Sequence, residues 1–387
     1  MIRTIFQILF AFFMVVFPLH GFTQASPSEG QLTIDQSLQR LAKRLLQNKQ
    51  GSIVAIEPAT GRVLALVSND KLDDGVNRAI STSYSPGSTF KVAQALFMLS
   101  EGAIDTKKTY ACQRGFSFNG IRIGCHPHRS PLAMIQAIGQ SCNAFFCKSF
   151  QETIDNRQLY ASPSAAINRW ADYMHSMGLG VSLGVDLENE DRGLIPDSAY
   201  LQNLHRKWNG TTIMWVGMGQ GEVKTTPLQL CNLAALVGNR GYYITPHIHE
   251  NATGMTVDTT RHHCIATPEA IDVVIKGMRA AVKGGTAHAI NAHQYEICGK
   301  TGTAENKGDD HSTFMGFAPK DLPRIAVSVY VENGGFGADL AAPMASLIIE
   351  QYLNGRLSEK SAQKAERWAK KKVKITPIEI PITLDDM

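Results

Sequence analysis

The feature that most constrains this chain is a serine and a lysine three residues apart at the start of an apolar helix. The dipeptide Pro86-Gly87 marks a turn, and the apolar run at residues 92–99 predicts a largely buried helix. Ser88 and Lys91, at positions i and i+3, can meet on one face of that helix. A lysine shielded from water can lose its proton near neutral pH and activate a serine. The pattern predicts a nucleophilic serine with a lysine base.

Two further motifs complete this pattern. Ser141-Cys142-Asn143 follows the amphipathic stretch 132–138, and Lys300-Thr301-Gly302-Thr303 follows the strand-like stretch 295–298. A serine and an asparagine two apart can face one cavity if the backbone between them is not a regular helix; alone, they are more typical of a helix cap. The order Ser-x-x-Lys, Ser-x-Asn, Lys-Thr-Gly is typical of serine acyltransferases that react with penicillin. Together the three motifs predict an acyl-transfer site.

The strand patterns lie at the two ends of the chain, and helical patterns lie between them. Because the strands are short and apolar, we predict an α+β fold in which both chain ends build one antiparallel sheet flanked by helices. The middle helices would form an all-helical lobe, with Ser88 and Ser141 on the helical side of a cleft and Lys300 on an edge strand. The predicted strands are a hairpin at 52–68 and the segments 295–304, 312–319 and 325–332.

Four segments are predicted along the 387 residues. Residues 1–25 contain one positive charge, an apolar run at 5–19 and a small residue at the end, which is typical of an export signal; an uncleaved anchor is the alternative. Residues 26–50 are predicted to be a linker, 51–355 the catalytic domain and 356–387 a basic tail. The predicted location is the periplasm or the outer face of the cytoplasmic membrane.

The net charge of +4 is concentrated near the carboxyl end. Residues 356–374 contain eight Lys or Arg and two Glu, so the rest of the chain is net negative by two. A nucleic-acid-binding protein would have basic and aromatic residues interleaved on the body of the fold, so we predict no nucleic-acid partner. The tail is predicted to be a solvated, partly helical segment, with contact to anionic lipid as the alternative.

Seven cysteines in an exported chain indicate a disulfide and at least one unpaired thiol. Cys112 and Cys125 flank a polar stretch that is typical of a loop or hairpin, and a disulfide between them is the first hypothesis. Free thiols are the second. Zinc is the third, because His126 and His128 lie beside Cys125 and Cys142 follows soon after.

The motifs quoted above resemble the transpeptidase domain of class B penicillin-binding proteins, over about residues 50–354. Further stretches that are similar to this family are Asn77-Arg78-Ala79-Ile80, Gly219-Gln220-Gly221, Thr226-Pro227-Leu228-Gln229, Phe314-Met315-Gly316-Phe317-Ala318-Pro319 and Val331-Glu332-Asn333-Gly334-Gly335. The resemblance implies a serine β-lactamase/transpeptidase-like fold. It also implies peptidoglycan cross-linking through an acyl-enzyme on D-Ala-D-Ala stem peptides, covalent inhibition by β-lactams, and no metal or other cofactor.

The resemblance also implies a role for each motif residue. Ser88 would attack the penultimate D-Ala carbonyl, Lys91 would accept its proton, and Ser141 would relay a proton to the leaving amine. Asn143 would hold the peptide amide. The site would be completed by Lys300 and Thr301, with Gly302, at the substrate carboxylate, and by the backbone N–H groups of Ser88 and Thr303 at the oxyanion.

One departure from the family pattern concerns the amino end. Family members usually have a long pedestal before the catalytic domain, whereas about 25 residues separate Ala25 from Gly51 here. We therefore predict a compact transpeptidase that lacks this pedestal, with other cell-wall synthesis proteins as partners, one of which could supply it. The alternatives are a D,D-carboxypeptidase, a class D-like serine β-lactamase and, outside the enzymes, a β-lactam sensor.

Overall fold

The computed structural model describes residues 31–69, 75–118, 120–250, 257–306 and 308–375. The predicted export signal or anchor lies outside the described residues. Within them, no helix is both long and apolar enough to cross a membrane. The strands are β1 (Gly51–Ile56), β2 (Val63–Asn69), β3 (Gly115–Phe118), β4 (Ile121–Gly124), β5 (Tyr242–Ile244), β6 (Arg261–His263), β7 (Cys298–Ala304), β8 (His311–Ala318) and β9 (Ile325–Val331).

The α-helices connect and cover these strands. They are α1 (Gln36–Leu46), α2 (Lys91–Ser100), α3 (Met134–Gly139), α4 (Asn143–Ile154), α5 (Pro163–Ser176), α6 (Ser198–His205), α7 (Met214–Gly217), α8 (Pro227–Gly238), α9 (Pro268–Gly284), α10 (Ala341–Asn354) and α11 (Glu359–Lys370). Two 3-10 helices span Gly87–Phe90 and His288–Ile290.

The centre of the fold is a five-stranded antiparallel sheet with the order β2-β1-β9-β8-β7. The hairpin near the amino end joins the strands near the carboxyl end through β1 and β9, where Gly51 lies opposite Val331 and Ile56 opposite Ala326. Every residue of β1 and β9 is buried, which is why both strands are apolar on both faces. The predicted α+β sheet of two chain ends is confirmed, and β7 lies at one edge.

Helices cover both faces of the sheet. Val54 and Ile56 of β1 belong to a core shared with α8 and the helical lobe, whereas Ile53 and Ala55 belong to a second core shared with α1 and α10. The alternation follows from the two-residue period of a strand. The helix α8 is buried along its whole length and begins with a capping box at Thr226, which accounts for its fixed position against the sheet.

The helical lobe holds the nucleophile helix. Residues 91–98 of α2 are buried, and its Gln94 accepts a hydrogen bond of 2.7 Å from the indole of Trp170 on α5. The helices α2, α3 and α9 pack on one another, and α9 also packs on β7. These contacts bring the start of α2 beside the edge strand.

Two segments differ from their sequence-based predictions. Residues 36–46, within the predicted linker, form α1, whose apolar positions follow helical spacing and whose N-terminus is capped by Asp35. The predicted tail contains α11, which packs on α1 and α10 through Ala365 and Ala369. Because both helices bury a narrow apolar stripe, their sequences are mostly polar and were interpreted as linker and tail.

If α1 is part of the folded core, truncating its buried side should destabilise the whole domain. Leu45 is 0% exposed, so Leu45→Ala should lower the free energy of unfolding by about 2–5 kcal/mol. The exposed Lys43→Ala on the same helix should change it by less than about 0.5 kcal/mol. Urea denaturation measures both free energies of unfolding. If the two substitutions changed this free energy equally, α1 would fold independently of the sheet.

Candidate active site

Ser88 lies in the 3-10 helix that leads into α2. Gly87 precedes it with φ of +53°, and a Cβ at this glycine would lie 2.4 Å from the carbonyl oxygen of Thr303 on β7. Only glycine both adopts this backbone conformation easily and allows so close an approach. Lys91, the first residue of α2, donates a hydrogen bond of 2.8 Å from Nζ to Ser88 Oγ. The Ser-x-x-Lys motif therefore forms the predicted contact.

The second motif lies where α3 ends and α4 begins. Ser141 has φ of +52°, so the backbone is not helical there, and Cys142 caps α4. This break allows both flanking side chains to face the cleft. Lys91 Nζ lies 2.5 Å from Asn143 Oδ1, 3.3 Å from Ser141 Oγ and 3.2 Å from the Ser141 carbonyl.

The third motif lies on the edge strand β7, as predicted. Lys300 Nζ donates to Ser141 Oγ at 2.8 Å and to the Thr301 carbonyl at 2.8 Å. The hydroxyl of Ser141 is thus within hydrogen-bonding distance of two lysines, Lys91 on one side and Lys300 on the other. This arrangement gives a proton a path from the nucleophile's base towards the third motif.

Burial changes the proton affinity of both lysines. Lys91 is 0% exposed, and burial lowers its pKa to about 8. Lys300 is also 0% exposed, and burial, followed by the charge of Lys91, lowers its pKa well below the usual value. Two ammonium groups around one hydroxyl repel each other, so the site favours the state in which one of the two lysines is neutral. This is the electrostatic state that a general base for Ser88 needs.

The cleft around these side chains has a volume of about 680 Å³. It is lined by most of the predicted site residues: Ser88, Ser141, Asn143, Thr301, Gly302 and Thr303. Lys91 and Lys300 lie behind this surface. Gly302 has no room for a side chain, since a Cβ there would lie 2.5 Å from Thr313 Cγ2. The structure therefore brings all eight predicted residues to one site.

Several cleft residues were not predicted from the sequence. The hydroxyls of Thr286 and Thr301 lie 2.7 Å apart, so Thr286 orients a residue of the Lys-Thr-Gly motif. Gln220 donates to the Thr303 carbonyl at 3.4 Å, and the ring of Phe336, 64% exposed, lies at the cleft. Of these residues, Gln220 lies in a stretch that was noted only for its resemblance to the family, without a role at the site.

Three cysteines and one histidine, which we call the cysteine–histidine cluster, lie beside the second motif. The ligand atoms of Cys112, Cys125, His128 and Cys142 all lie within 4.8 Å of one another. Cys125 Sγ lies 3.3 Å from His128 Nε2 and accepts the N–H of Asn143 at 3.3 Å. Three cysteines and one histidine are a donor set that Zn²⁺ takes in structural sites.

The predicted Cys112–Cys125 disulfide is not formed, since all seven cysteines are free thiols. Cys125 instead interacts with Cys142, and a hydrogen bond from Cys142 holds the pKa of Cys125 well below its usual value. Of the two candidate histidines, His128 joins this group, whereas His126 lines the cleft. The two imidazole rings remain in edge-to-face contact, with their centroids 5.5 Å apart.

Residues 51–350 match the family described as the penicillin binding protein transpeptidase domain. The chain is 30% identical over 372 residues to the peptidoglycan D,D-transpeptidase MrdA of Acinetobacter baumannii, a match that covers 83% of this chain and 53% of the relative. A comparable match to MrdA of Haemophilus influenzae has 28% identity and covers 85% of this chain and 56% of the relative.

A solved structure agrees with these relatives. The crystal structure of Pseudomonas aeruginosa PBP2 in complex with WCK 5153 superposes with a TM-score of 0.74 at 30% identity, and the match covers 86% of this chain and 81% of that one. The chain spans about half the length of the curated relatives named above. Because the family match, the relatives and the superposed fold agree over the catalytic region, the chain belongs to the class B penicillin-binding protein transpeptidase family.

Proposed function

We propose that this chain is a serine peptidoglycan D,D-transpeptidase that acts on D-Ala-D-Ala stem peptides and is acylated by β-lactams. The observation that carries the proposal is the buried Lys91, with Nζ 2.8 Å from Ser88 Oγ and within reach of Ser141 and Asn143. A base in this position removes the serine proton as the nucleophile attacks. The relatives named D,D-transpeptidase support this reaction class.

In the first half-reaction, Ser88 Oγ bonds to the carbonyl carbon of the penultimate D-Ala and its proton moves to Lys91 Nζ. The carbon–nitrogen bond to the terminal D-Ala then breaks. Ser141 relays a proton to the leaving amine through the contacts it makes with Lys91 and Lys300. Asn143 holds the peptide amide, and the N–H groups of Ser88 and Thr303 stabilise the oxyanion.

The edge strand β7 binds one end of the substrate. Lys300 and Thr301, with Gly302, bind the terminal carboxylate of the donor peptide. Lys300 is buried without a described carboxylate partner, and an arriving carboxylate favours its charged form. Thr286 fixes the Thr301 hydroxyl through the 2.7 Å contact. An uncharged donor terminus would leave this buried lysine without compensation.

In the second half-reaction, the amine of a neighbouring stem peptide attacks the acyl-enzyme and replaces Ser88 at the carbonyl. Water in place of the amine gives D,D-carboxypeptidase activity, and rapid hydrolysis of a penicilloyl-enzyme gives a β-lactamase. Neither step needs ATP or a redox cofactor. Cross-linking places the enzyme in the cell envelope, in the periplasm or at the outer face of the cytoplasmic membrane.

Other cell-wall synthesis proteins are proposed as partners. A structure described as the structural coordination of polymerization and crosslinking by a peptidoglycan synthase complex superposes with a TM-score of 0.75 at 27% identity. The match covers 85% of this chain and 63% of that one. We propose that the partner contact uses the surface of the catalytic domain, which is the part that the two chains share.

The cysteine–histidine cluster beside the second motif is proposed to bind one Zn²⁺. Small inward movements of its four side chains would bring sulfur atoms to about 2.3 Å from an ion. Cys142 lies between Ser141 and Asn143, and Asn143 also donates from Nδ2 to the Gly124 carbonyl at 2.7 Å. A bound ion would tie the β3–β4 hairpin to α4 and hold the motif in position.

The assignment of the nucleophile predicts where penicillin attaches. Intact-protein mass spectrometry after exposure to benzylpenicillin should show one adduct that persists for hours, and Ser88→Ala should abolish it. The half-buried Ser83→Ala, in the loop before the motif, is the matched control and should keep the adduct. An adduct that survives in Ser88→Ala would assign the nucleophile to another residue.

The same experiment separates the alternatives. An adduct lost within seconds while penicillin is consumed would identify a β-lactamase. D-Ala-D-Ala peptides offered with and without an amine acceptor distinguish the other two activities: a cross-linked product requires a transpeptidase, whereas only released D-Ala in both samples would identify a carboxypeptidase.

The lowered pKa of Lys91 predicts the pH dependence of acylation. Only the neutral amine acts as a base, so the rate should rise with pH, reach half its maximum near pH 8 and fall about tenfold per pH unit below that. Lys91→Arg keeps the charge but cannot lose it, and should slow acylation by about 10²–10⁴. Rates with a chromogenic β-lactam between pH 6 and 9.5 measure this, and a flat profile would exclude Lys91 as the base.

Zinc binding predicts a metal content of about one ion per chain. Elemental mass spectrometry of the purified protein should find zinc, and Cys125→Ser should remove it and slow penicillin acylation. Cys264→Ser is the matched control, since Cys264 is a half-buried thiol outside the group and should leave the zinc content unchanged. A metal-free protein that acylates at full rate would contradict the proposal.

A further inference from the structure

Exposed basic side chains are concentrated on α1, α11 and the residues that flank α11. Arg40, Lys43 and Arg44 project from α1, and residues 356–374 add eight more exposed Lys and Arg side chains. We call these eleven side chains the basic face. By sequence alone, the second group is predicted to lie on a solvated tail and the first on a linker.

The two helices lie side by side, so their charges form one surface. Asn48 Nδ2 donates to the Ala369 carbonyl at 2.9 Å and Lys49 Nζ donates to the Trp368 carbonyl at 2.6 Å, while Arg44 forms an ion pair with Glu366. After α11, Asn333 Nδ2 donates to the carbonyl of Lys374 at 3.1 Å. The carboxyl-terminal basic residues are therefore held against the fold.

The charge of this region is opposite to that of the rest of the protein. Residues 31–50 and 356–374 contain twelve Lys and Arg and three Asp and Glu. Their net charge is +9 in a chain of total +4, which leaves −5 for the remainder. Two of the three acids already have partners, since Asp35 caps α1 and Glu366 pairs with Arg44. A surface with this asymmetry attracts an extended anionic partner.

The basic face lies away from the catalytic cleft. The helix α1 packs on β2 and β1, at the opposite edge of the sheet from β7, which carries Lys300. Four strand spacings of about 4.8 Å place these edges about 19 Å apart. A large flat partner could therefore cover the basic face and leave the cleft open.

We propose that the basic face docks on a membrane surface rich in anionic phospholipid and turns the cleft away from the bilayer. The proposal rests on the envelope location given under the proposed function. It favours lipid because the apolar stretch 5–19 is joined to α1 by residues 20–35, which span at most about 55 Å. The half-buried Trp368 ring, whose centroid lies 5.1 Å from Arg367 Cζ and 5.3 Å from Lys371 Nζ, adds an aromatic group of the kind enriched at membrane interfaces.

Partitioning of the full chain into lipid vesicles tests the proposal. The measured quantity is the ratio of partition coefficients for vesicles with 30% phosphatidylglycerol and vesicles of pure phosphatidylcholine, which cancels any contribution of residues 5–19. Each basic group near an anionic surface contributes about fivefold in binding. We expect a ratio above 10 in dilute salt that falls as salt rises. The combined variant Lys43→Glu, Lys364→Glu, Lys370→Glu should lower it at least tenfold.

A matched variant separates this face from net charge alone. Lys107→Glu, Lys207→Glu, Lys276→Glu makes the same charge change at exposed positions of the helical lobe and should keep the ratio high. Equal partitioning into both vesicles, or equal losses in the two variants, would overturn the proposal. Tighter binding to soluble heparin than to the anionic vesicles would assign the face to a soluble polyanion instead. Penicillin acylation should be unchanged in both variants, so a failure of docking is distinguishable from a failure of the enzyme assignment.

Discussion

The active site depends on the burial of one amine. Lys91 is 0% exposed and lies among Ser88, Ser141 and Asn143, and that burial lowers its pKa to about 8. On a solvated surface the same lysine would keep its proton at neutral pH and could not activate a serine. The fold supplies the burial by starting α2 inside the helical lobe and closing the site with α4 and β7. The chemistry is thus a consequence of packing more than of any unusual residue.

The site also depends on the sheet that the two chain ends share. Lys300 lies 159 positions from Ser141, which lies 50 positions from Lys91, yet these three side chains form one hydrogen-bonded group. The strand β7 is placed by its pairing with β8, and β8 by its pairing with β9, which joins the hairpin from the other chain end. The close contact of Gly87 with Thr303 then sets the width of the cleft. Catalytic geometry and sheet register are therefore linked.

Sequence patterns predicted the main elements because each has a strong local signal. The buried strands β1 and β9 are continuous apolar runs, and α8 and α9 begin with proline after a capping threonine. The helix α1 was not predicted, and α11 was predicted only as a solvated, partly helical tail, because only a narrow stripe of each helix is apolar. The four members of the cysteine–histidine cluster, Cys112, Cys125, His128 and Cys142, were all named from the sequence, but the choice between a disulfide, free thiols and a metal site depends on distances in space.

The sequence by itself identified the candidate residues of the proposed acyl transfer, since a serine, a lysine and the two further motifs in a fixed order leave little other chemistry for them. It also indicated the sheet, because the short, continuous apolar runs of its strands are local patterns. Only the tertiary structure decided that Lys91 and Lys300 are both buried around Ser141, that His128 and not His126 joins the three thiols, and that α1 and α11 form one basic face. Burial, pKa and charge clustering arise between residues far apart in the chain, so no local pattern contains them.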